Sequence, residues 1–537
     1  MPSLSAHQIS LLEKLNTQFD ASSLSHKKKL LLELSHTKLP SSKILLRYFD
    51  ALLFSVAHSP DQSFLTLSEK EIRRVTAFLK KNKNKLPKEF INSGLPHCDL
   101  NTGFSYDFTK WLSRHPDISV QLNGFPNPQF DLNSSLKLTL PSLERYETTA
   151  GNDNDALMHE LKVDPKHQLE FLLSETGKVE LPYFKDHLWE GIDPYVKIAP
   201  RNSSFSKNEI RLNISGHYFH TDLLKRFDHT ALFESALPPS RKLSDQDRQL
   251  AVDTIKNTMA VTARETDPAT YMDENTLRIY DLERGISVAI YGMIAERQLP
   301  LESYVGFTLF KNGLPASYGG AWVFGKRSNF GINVFESFRG GESGYIMCQL
   351  LRVYRQVFGI TYFEVEPYQY GLDNPEGIES GAFWFYYRFG FRPVDKKLRA
   401  LADKEFAKIK ANKNYRSSKK TLLQFTQSNI ELRFEKKIPT GVYDITPKIK
   451  KLIQKQYNGN RARAEKDAVM RFKIKTQWVK PLNTDTQQVM NEVALWAEAL
   501  DINDAQKLKI MCSMIHAKPL DLYGYQSLLL SFLGETN

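Results

Sequence analysis

Cysteine is scarce in this chain, and long apolar runs are absent. Only three cysteines occur in 537 residues, each more than 150 positions from the next: Cys98, Cys348 and Cys512. That spacing excludes a disulfide framework and a Cys-x-x-Cys metal site. No window approaches the ~18 consecutive apolar residues of a membrane-spanning helix. We therefore expect reduced thiols and no transmembrane segment.

The first residues also lack the features of a targeting segment. Pro2 and Ser3 follow Met1, and Glu13 and Lys14 occur where a signal peptide would have its apolar core. We therefore expect a cytoplasmic protein. Apolar residues make up 41% of the chain, and glycine adds to this share, which excludes a disordered or fibrous protein.

Two common arrangements of functional residues are missing as well. No Gly-x-Ser-x-Gly motif presents a serine nucleophile. His217, His220, Asp222 and His229 lie close in sequence. His217 and His220 are poorly spaced for a shared face, however, and no second motif supports a metal site. We expect no metal.

Positive charge is concentrated in one segment. The net charge is +11, but residues 396–480 contain 24 Lys and Arg against 7 Asp and Glu, so the rest of the chain is acidic. Such a segment can bind RNA, phosphates or an anionic surface. The alternative is a solvated lysine-rich surface.

Helical periodicity dominates the first part of the chain. Apolar residues recur at helical spacing over residues 4–86, and residues 90–239 form a mixed region without recognisable chemistry. Ser244, followed three positions later by Asp247, predicts the start of another helix. Periodicity returns in the last hundred residues, which we predict to be a helical appendage.

Alternating patterns begin near residue 286. They predict strands over 304–310 and 316–324, joined by a hairpin turn at Lys311-Asn312-Gly313. A turn over 325–329 and a third strand over 330–338 complete an antiparallel meander. After a predicted helix that ends at Gly359, a strand over 361–366 should run parallel to the third strand.

A glycine-rich turn separates the meander from that helix. It reads Arg339-Gly340-Gly341-Glu342-Ser343-Gly344. Main-chain amides at the start of a helix attract anions, so the turn predicts an anion site. The alternative is a tight connection that needs glycine for its dihedral angles.

This order of elements resembles the GNAT superfamily of N-acetyltransferases, and its sequence runs resemble those of a subgroup of long bacterial proteins. A later helix in the superfamily carries Ala, three positions, Tyr, three positions, Gly-Phe. Ala382, Tyr386, Gly390 and Phe391 match that pattern. The resemblance covers residues 286–395.

The resemblance implies an acyl-coenzyme A cosubstrate. Its pantetheine arm would lie between two splayed strands, with its diphosphate on the turn. The implied binding residues are Arg339, Gly340, Gly341, Ser343 and Gly344. Glu342 departs from the superfamily pattern, because it stands where a glycine is usual.

The resemblance also implies two catalytic residues. Glu336, near the end of the third strand, would accept the proton of the amine; its alternative role is an exposed strand residue. Tyr386 would protonate the leaving thiolate; its alternative role is core packing in an aromatic run. Glu364 and Glu366 share one strand face and are secondary candidates for the base.

We therefore expect a multidomain α+β protein with a central GNAT-like mixed sheet and helical N-terminal and C-terminal regions. The predicted parts are a helical and mixed region (1–240), an acyltransferase domain (241–395), a basic segment (396–480) and a helical appendage (481–537). The expected function is transfer of an acyl group from acyl-coenzyme A to an amine. The alternatives are a catalytically degenerate scaffold and a transferase that uses aminoacyl-transfer RNA.

Overall fold

The computed structural model describes residues 3–149, 153–412 and 414–534. They form a mixed α+β structure that divides into two compact units. The first unit comprises Met1–Leu223, Gln249–Thr266 and Phe310–Pro315, and the second comprises Leu224–Arg248, Asp267–Leu309 and Ala316–Asn537. Among the described residues, no helix combines the length and the apolar character needed to cross a bilayer.

The first unit begins with four helices, as the periodicity predicted, followed by a mixed region. Its elements are α1 (Ala6–Asn16), α2 (Ala21–Ser35), α3 (Lys43–Ala57), α4 (Gln62–Asn82), β1 (Leu100–Gly103), α5 (Tyr106–Ser113), β2 (Ile118–Leu122), α6 (Leu132–Leu136), α7 (Asn154–Glu160), α8 (Gln168–Gly177), α9 (Pro182–Ile192) and β3 (Tyr195–Pro200). Ser5, Asp20 and Asp61 cap the N-termini of α1, α2 and α4. The strands form an antiparallel sheet in the order β1-β3-β2.

A long helix, α11, carries residues of both units, and most of the remaining elements belong to the second unit. Helices up to the basic segment are α10 (His229–Glu234), α11 (Asp245–Thr262), α12 (Asp267–Thr270), α13 (Ser343–Phe358), α14 (Pro375–Glu379) and α15 (Ala382–Arg388). Ser244 caps α11, since its hydroxyl accepts a hydrogen bond of 3.1 Å from the Asp247 amide. The predicted start of this helix is confirmed.

An eight-stranded mixed sheet forms the centre of the second unit, in the order β10-β11-β9-β8-β7-β6-β5-β4. The strands are β4 (Arg278–Leu282), β5 (Ile286–Tyr291), β6 (Ser303–Lys311), β7 (Leu314–Phe324), β8 (Arg327–Val334), β9 (Tyr362–Val365), β10 (Arg392–Pro393) and β11 (Ile430–Arg433). Asn312 and Gly313 adopt positive φ angles of 47° and 81°, as a two-residue hairpin turn requires. The predicted meander is therefore present, and β9 is parallel to β8, as predicted.

The third strand of the meander differs from the prediction at both ends. It begins at Arg327, because residues 327–329 pair with both neighbouring strands despite their polarity. It ends at Val334, and Glu336–Phe338 forms a 3₁₀ turn. Glu336 was predicted near the end of this strand; it lies instead in the turn that follows.

The sheet also continues beyond the boundary predicted at residue 395. Strand β11 lies within the basic segment, yet it pairs with β9 on one side and with β10 on the other. Sequence alone did not reveal this strand, because it is four residues long and its partners lie far away in the chain. Two helices, α16 (Lys396–Ala411) and α17 (Lys419–Phe425), precede it.

Five helices complete the second unit. They are α18 (Val442–Tyr457), α19 (Arg461–Thr476), α20 (Thr484–Ala499), α21 (Ala505–Ala517) and α22 (Leu522–Leu533). Buried apolar side chains from all five form one core, which includes Trp496 of α20 and Phe324 of β7. The basic segment thus contributes two helices of a packed bundle, and its lysines occupy the outer faces.

Candidate functional site

The parallel strands β8 and β9 pair over a short distance. Their register covers three positions, from Arg327 opposite Tyr362 to Asn329 opposite Glu364. Strand β8 continues to Val334, whereas β9 ends at Val365. The amide of Gln369 lies beside Gly331, 3.1 Å from the position that a Cβ there would take. Beyond Asn329, the part of β8 that leads to the glycine-rich turn is therefore not paired with β9, and the Gln369 side chain lies beside it.

The turn leads directly into α13, whose first residue is Ser343. Glu342 occupies the N-cap position, but its side chain makes no capping hydrogen bond. The amides of Ser343, Gly344 and Tyr345 belong to the first turn of the helix and have no acceptor among the described residues. Gly340 has a positive φ of 78°, with no atom within 4 Å of where a Cβ would be. These amides, together with the helix dipole, can bind an anion.

Glu342 is turned away from these amides. Its side chain is fully buried, and its Oε1 accepts hydrogen bonds from Nε of Arg284 at 2.7 Å and from the amide of Leu224 at 2.9 Å. The carboxylate charge is therefore paired with a guanidinium and does not fill the anion site. This position, where the superfamily pattern has glycine, has a structural role here.

Contacts at Gly344 connect the turn to α15. A Cβ on Gly344 would lie 2.2 Å from the ring of Phe389, so no larger residue fits without moving that ring. Phe389 follows α15, and its ring contacts that of Phe385 with a centroid separation of 5.9 Å. The two parts of the superfamily pattern, far apart in sequence, thus pack against each other.

Arg339 is half exposed and already engaged. Its Nε donates to the main-chain oxygen of Val334 at 3.1 Å, and its guanidinium pairs with Glu376. The other turn residues differ in access: Gly340 is exposed, Gly341 is buried and Ser343 is partly buried. Because a guanidinium has five N–H donors, Arg339 could contact a bound phosphate while it stays paired with Glu376.

Tyr386 is buried on α15 and packs against the ring of Phe391 at 5.4 Å. Among the described residues, no group forms a hydrogen bond with its hydroxyl. Burial raises the pKa of Tyr386 above its ordinary value of 10.0, so the phenol is protonated at neutral pH. A protonated hydroxyl without a partner can donate to a developing anion.

Glu336 lies on the exposed 3₁₀ turn after β8. Within the described ranges, no contact joins it to Tyr386, so these two predicted catalytic residues are not brought together. Its main-chain oxygen accepts from the Arg339 amide at 3.2 Å, which helps to shape the glycine-rich turn.

A polar cleft lies on one face of the β8–β9 strand pair. Its volume is about 130 Å³, and its walls include Glu364, Glu366, Asn329, Arg327 and Trp322. Glu364 and Glu366 do share this face, as side-chain alternation predicted. Oxygens of Glu364 accept from Arg327 and from Asn429, both at 2.6 Å, and Glu366 accepts from Asn329 at 2.5 Å.

Glu302 completes the cleft, and sequence reasoning missed it. It immediately precedes β6, where no local pattern distinguishes it. Burial raises the pKa of its carboxyl, although the nearby charges of Lys518 and Arg327 oppose that shift. The sequence did contain one usable signal for this face: Glu364 and Glu366 alternate with the apolar residues Phe363 and Val365.

Comparisons with known proteins give no further information about this site. No protein-family model, curated protein or solved structure matches the chain. The glycine-rich turn with its open amides, the short pairing of β8 with β9 and the cleft are therefore the basis for a functional proposal.

Proposed function

We propose that the protein transfers an acyl group from an acyl-coenzyme A to an amine. The observation that carries this proposal is the short parallel pairing of β8 and β9 next to the open amides of α13. An extended pantetheine arm could lie beside the part of β8 that β9 does not cover, and amides at a helix start suit a diphosphate. Pairing of Glu342 with Arg284 supports the proposal, because it neutralises the carboxylate at the start of α13.

The reaction requires a neutral amine. A protonated amine first gives one proton to a base, and its nitrogen then attacks the thioester carbonyl. The C–N bond forms, the C–S bond breaks, the nitrogen loses a second proton, and the thiolate accepts one. The net products are an amide, a free thiol and one released proton.

We assign the proton donor role to Tyr386, supported by its burial and its unpartnered hydroxyl. For the base, the structure offers two places. Glu366 lies in the cleft two residues beyond the last paired position of β9, whereas Glu336 is on the exposed turn. Glu366 is the stronger candidate, because it lies just beyond the point where β9 ceases to pair with β8. A base at that point could reach the attacking nitrogen.

Calorimetry with acetyl-coenzyme A tests donor binding directly. We expect saturable heat and competition by desulfo-coenzyme A. Ser343→Asp places a negative charge at the first residue of α13 and should weaken binding at least tenfold. Ser513→Asp is the matched control, because it adds the same charge on the exposed face of α21 and should leave affinity unchanged. Absence of heat for the unmodified protein would favour a scaffold instead.

A second proposal concerns the partner of the basic segment. Between Ile445 and Ala464 the chain has six cations and no carboxylate. Four of the cations lie on α18 and have no ion pair among the described residues: Lys448, Lys450, Lys451 and Lys455. Unpaired lysines on one exposed helix favour a polyanion such as RNA.

Charge neutralisation on α18 tests this partner. Changing Lys448, Lys451 and Lys455 together to Gln should reduce salt-sensitive RNA binding, because these lysines share the outer face of the helix. Lys408 and Lys410 of α16 provide the comparison: Lys408 is already paired with Glu405 at 2.7 Å. Lys413, also in the basic segment, lies outside the described residues. If the α18 variant binds RNA as tightly as the unmodified protein does, the basic surface is a solvated surface and not an RNA site.

A further inference from the structure

The polar cleft continues into a second cleft along α18. The two share Glu302 and Val442 in their walls. The second has a volume of about 170 Å³ and lies between α18 and the segment that precedes β6. Together they form one groove, which we call the α18 groove, with Glu302 at its midpoint.

One half of the α18 groove carries unbalanced negative charge. Glu364 is neutralised by Arg327, but the one hydrogen bond of the Glu366 side chain among the described residues comes from the neutral amide of Asn329. The main-chain oxygen of Glu302 accepts from Lys518 at 2.8 Å, but its carboxylate forms no hydrogen bond and no ion pair within the part of the chain that the structure describes. The carboxylates of Glu302 and Glu366 thus remain outside direct ion pairs at a concave site that Trp322 and Tyr443 also line. Such a site favours a cation.

The other half of the groove is mainly apolar. Leu299, Pro300, Leu301 and Ile449 line it. Arg461 and Glu492, which also line this half, form an ion pair, and Arg461 pairs with Glu465 as well. Besides Glu302 at the midpoint, the exposed Lys450 is the charge of this half that has no ion pair among the described residues. An aliphatic chain therefore fits this half better than a second charged group.

We propose that the α18 groove binds a primary amine attached to an apolar chain, with the ammonium between Glu302 and Glu366 and the chain against Leu299 and Ile449. This inference rests on the proposed function and deepens it, because it names the acceptor as an aliphatic, amphipathic amine. The site lies on the face where Glu366 can receive the proton of the amine.

Binding of simple alkylamines tests the α18 groove without any acyl donor. Calorimetry with propylamine, pentylamine and heptylamine should show affinity rising about fourfold for each added methylene. Heptanoate, which has a similar chain and the opposite charge, should not bind. Glu302→Gln should weaken all three amines about tenfold, because it removes a charge-assisted contact and keeps the side-chain shape.

Variants in the apolar half of the α18 groove test the contribution of the alkyl chain separately from that of the ammonium group. Leu299 is 41% exposed, so Leu299→Ser should preserve the fold and reduce the dependence on chain length. Leu520→Ser, on another exposed leucine, is the control and should change nothing.

Three outcomes would overturn the inference: no amine binding, affinity independent of chain length, or equal binding of heptanoate. If amines bind but acetyl-coenzyme A does not, the groove stands and the acyltransfer proposal fails. If acetyl-coenzyme A binds and amines do not, the acyltransfer proposal stands and the proposal of an amine site in the groove is wrong.

Discussion

The two faces of the β8–β9 strand pair differ sharply in chemistry. On one face, Phe330 and Phe363 contact each other, and Tyr354 of α13 packs against Phe330 at a centroid distance of 5.8 Å. On the other face, Asn329 and Glu364 occupy the neighbouring positions and line an open cleft. Because side chains alternate along a strand, the same few residues build the core and the candidate site.

That difference shows where the fold keeps charged groups at a cost in stability. A sheet face covered by helices is stabilised by apolar residues, and charged groups there must be paired. Glu364 follows this rule through Arg327, whereas Glu302 does not. Burial of Glu302 without a direct ion pair among the described residues costs stability, and that cost is one reason why we propose a binding role for it.

Truncation of the packed face should have the largest effect. Phe330→Ala removes a buried ring that contacts Phe307, Tyr354 and Phe363. We expect the free energy of unfolding to fall by about 3–5 kcal/mol, measured by chemical denaturation. Asn329→Ala, on the cleft face of the same strand, should cost less than about 1 kcal/mol. Similar losses for both variants would remove the distinction between the faces.

Removing the buried charge beneath the turn should have the next largest effect. Glu342→Gln removes the carboxylate that pairs with Arg284 and should cost about 3 kcal/mol in unfolding free energy. The double variant Glu342→Gln with Arg284→Met should recover part of that loss. Additive losses in the double-mutant cycle would show that the two side chains act independently.

The Tyr386 hydroxyl should matter for turnover and not for folding. Tyr386→Phe should slow acyl transfer by about 100-fold with unchanged affinity for acetyl-coenzyme A. Stability should stay within about 0.5 kcal/mol, since no described group hydrogen-bonds this hydroxyl. Tyr387→Phe is the neighbouring control; its hydroxyl bonds Asp403 and lies outside the proposed mechanism. Unchanged turnover in Tyr386→Phe would remove this residue from the mechanism.

Glu302 should make stability depend on pH in a defined direction. Burial raises its pKa in the folded state, so the folded protein holds this proton more tightly than the unfolded chain does. Stability from this group is therefore lost as pH rises above the ordinary value of 4.5. Glu302→Gln should be more stable than the unmodified protein at pH 7, and the difference should vanish in acid. Denaturation curves at both pH values measure it.

An effect of opposite sign is expected from Lys518. Burial lowers its pKa from 10.5 to about 7, so the folded state binds fewer protons than the unfolded state between these values. Stability should rise as pH increases from about 7 to 9, and Lys518→Met should abolish that rise. Lys455→Met, an exposed lysine on α18, should leave it intact.

Local pattern was sufficient for several elements of the site. The turn at Asn312-Gly313, the cap at Gly359 and the parallel strand after α13 all follow from turn chemistry, helix caps and the hand of crossovers. These features depend on neighbours in sequence. The GNAT-like function remains a proposal, because pattern resemblance specifies an arrangement of elements and no ligand.

Other features could not be predicted because their partners are distant in the chain. Strand β11 joins the sheet 65 residues after β9, with Ile430 opposite Val365. Glu342 is paired with Arg284, 58 positions earlier. From the sequence alone, a glutamate in a glycine-rich turn indicates repulsion of phosphate. Only the tertiary structure shows that the charge of this glutamate is paired with an arginine.

Sequence alone determined the elements around the site, since backbone preferences and side-chain alternation are local properties of the chain. Tertiary structure alone decided which charges are neutralised: it paired Glu342 and Glu364 with arginines and left Glu302 beside an open groove. The physical reason is that the energy of a carboxylate depends on its distance from cations and water, and folding sets both.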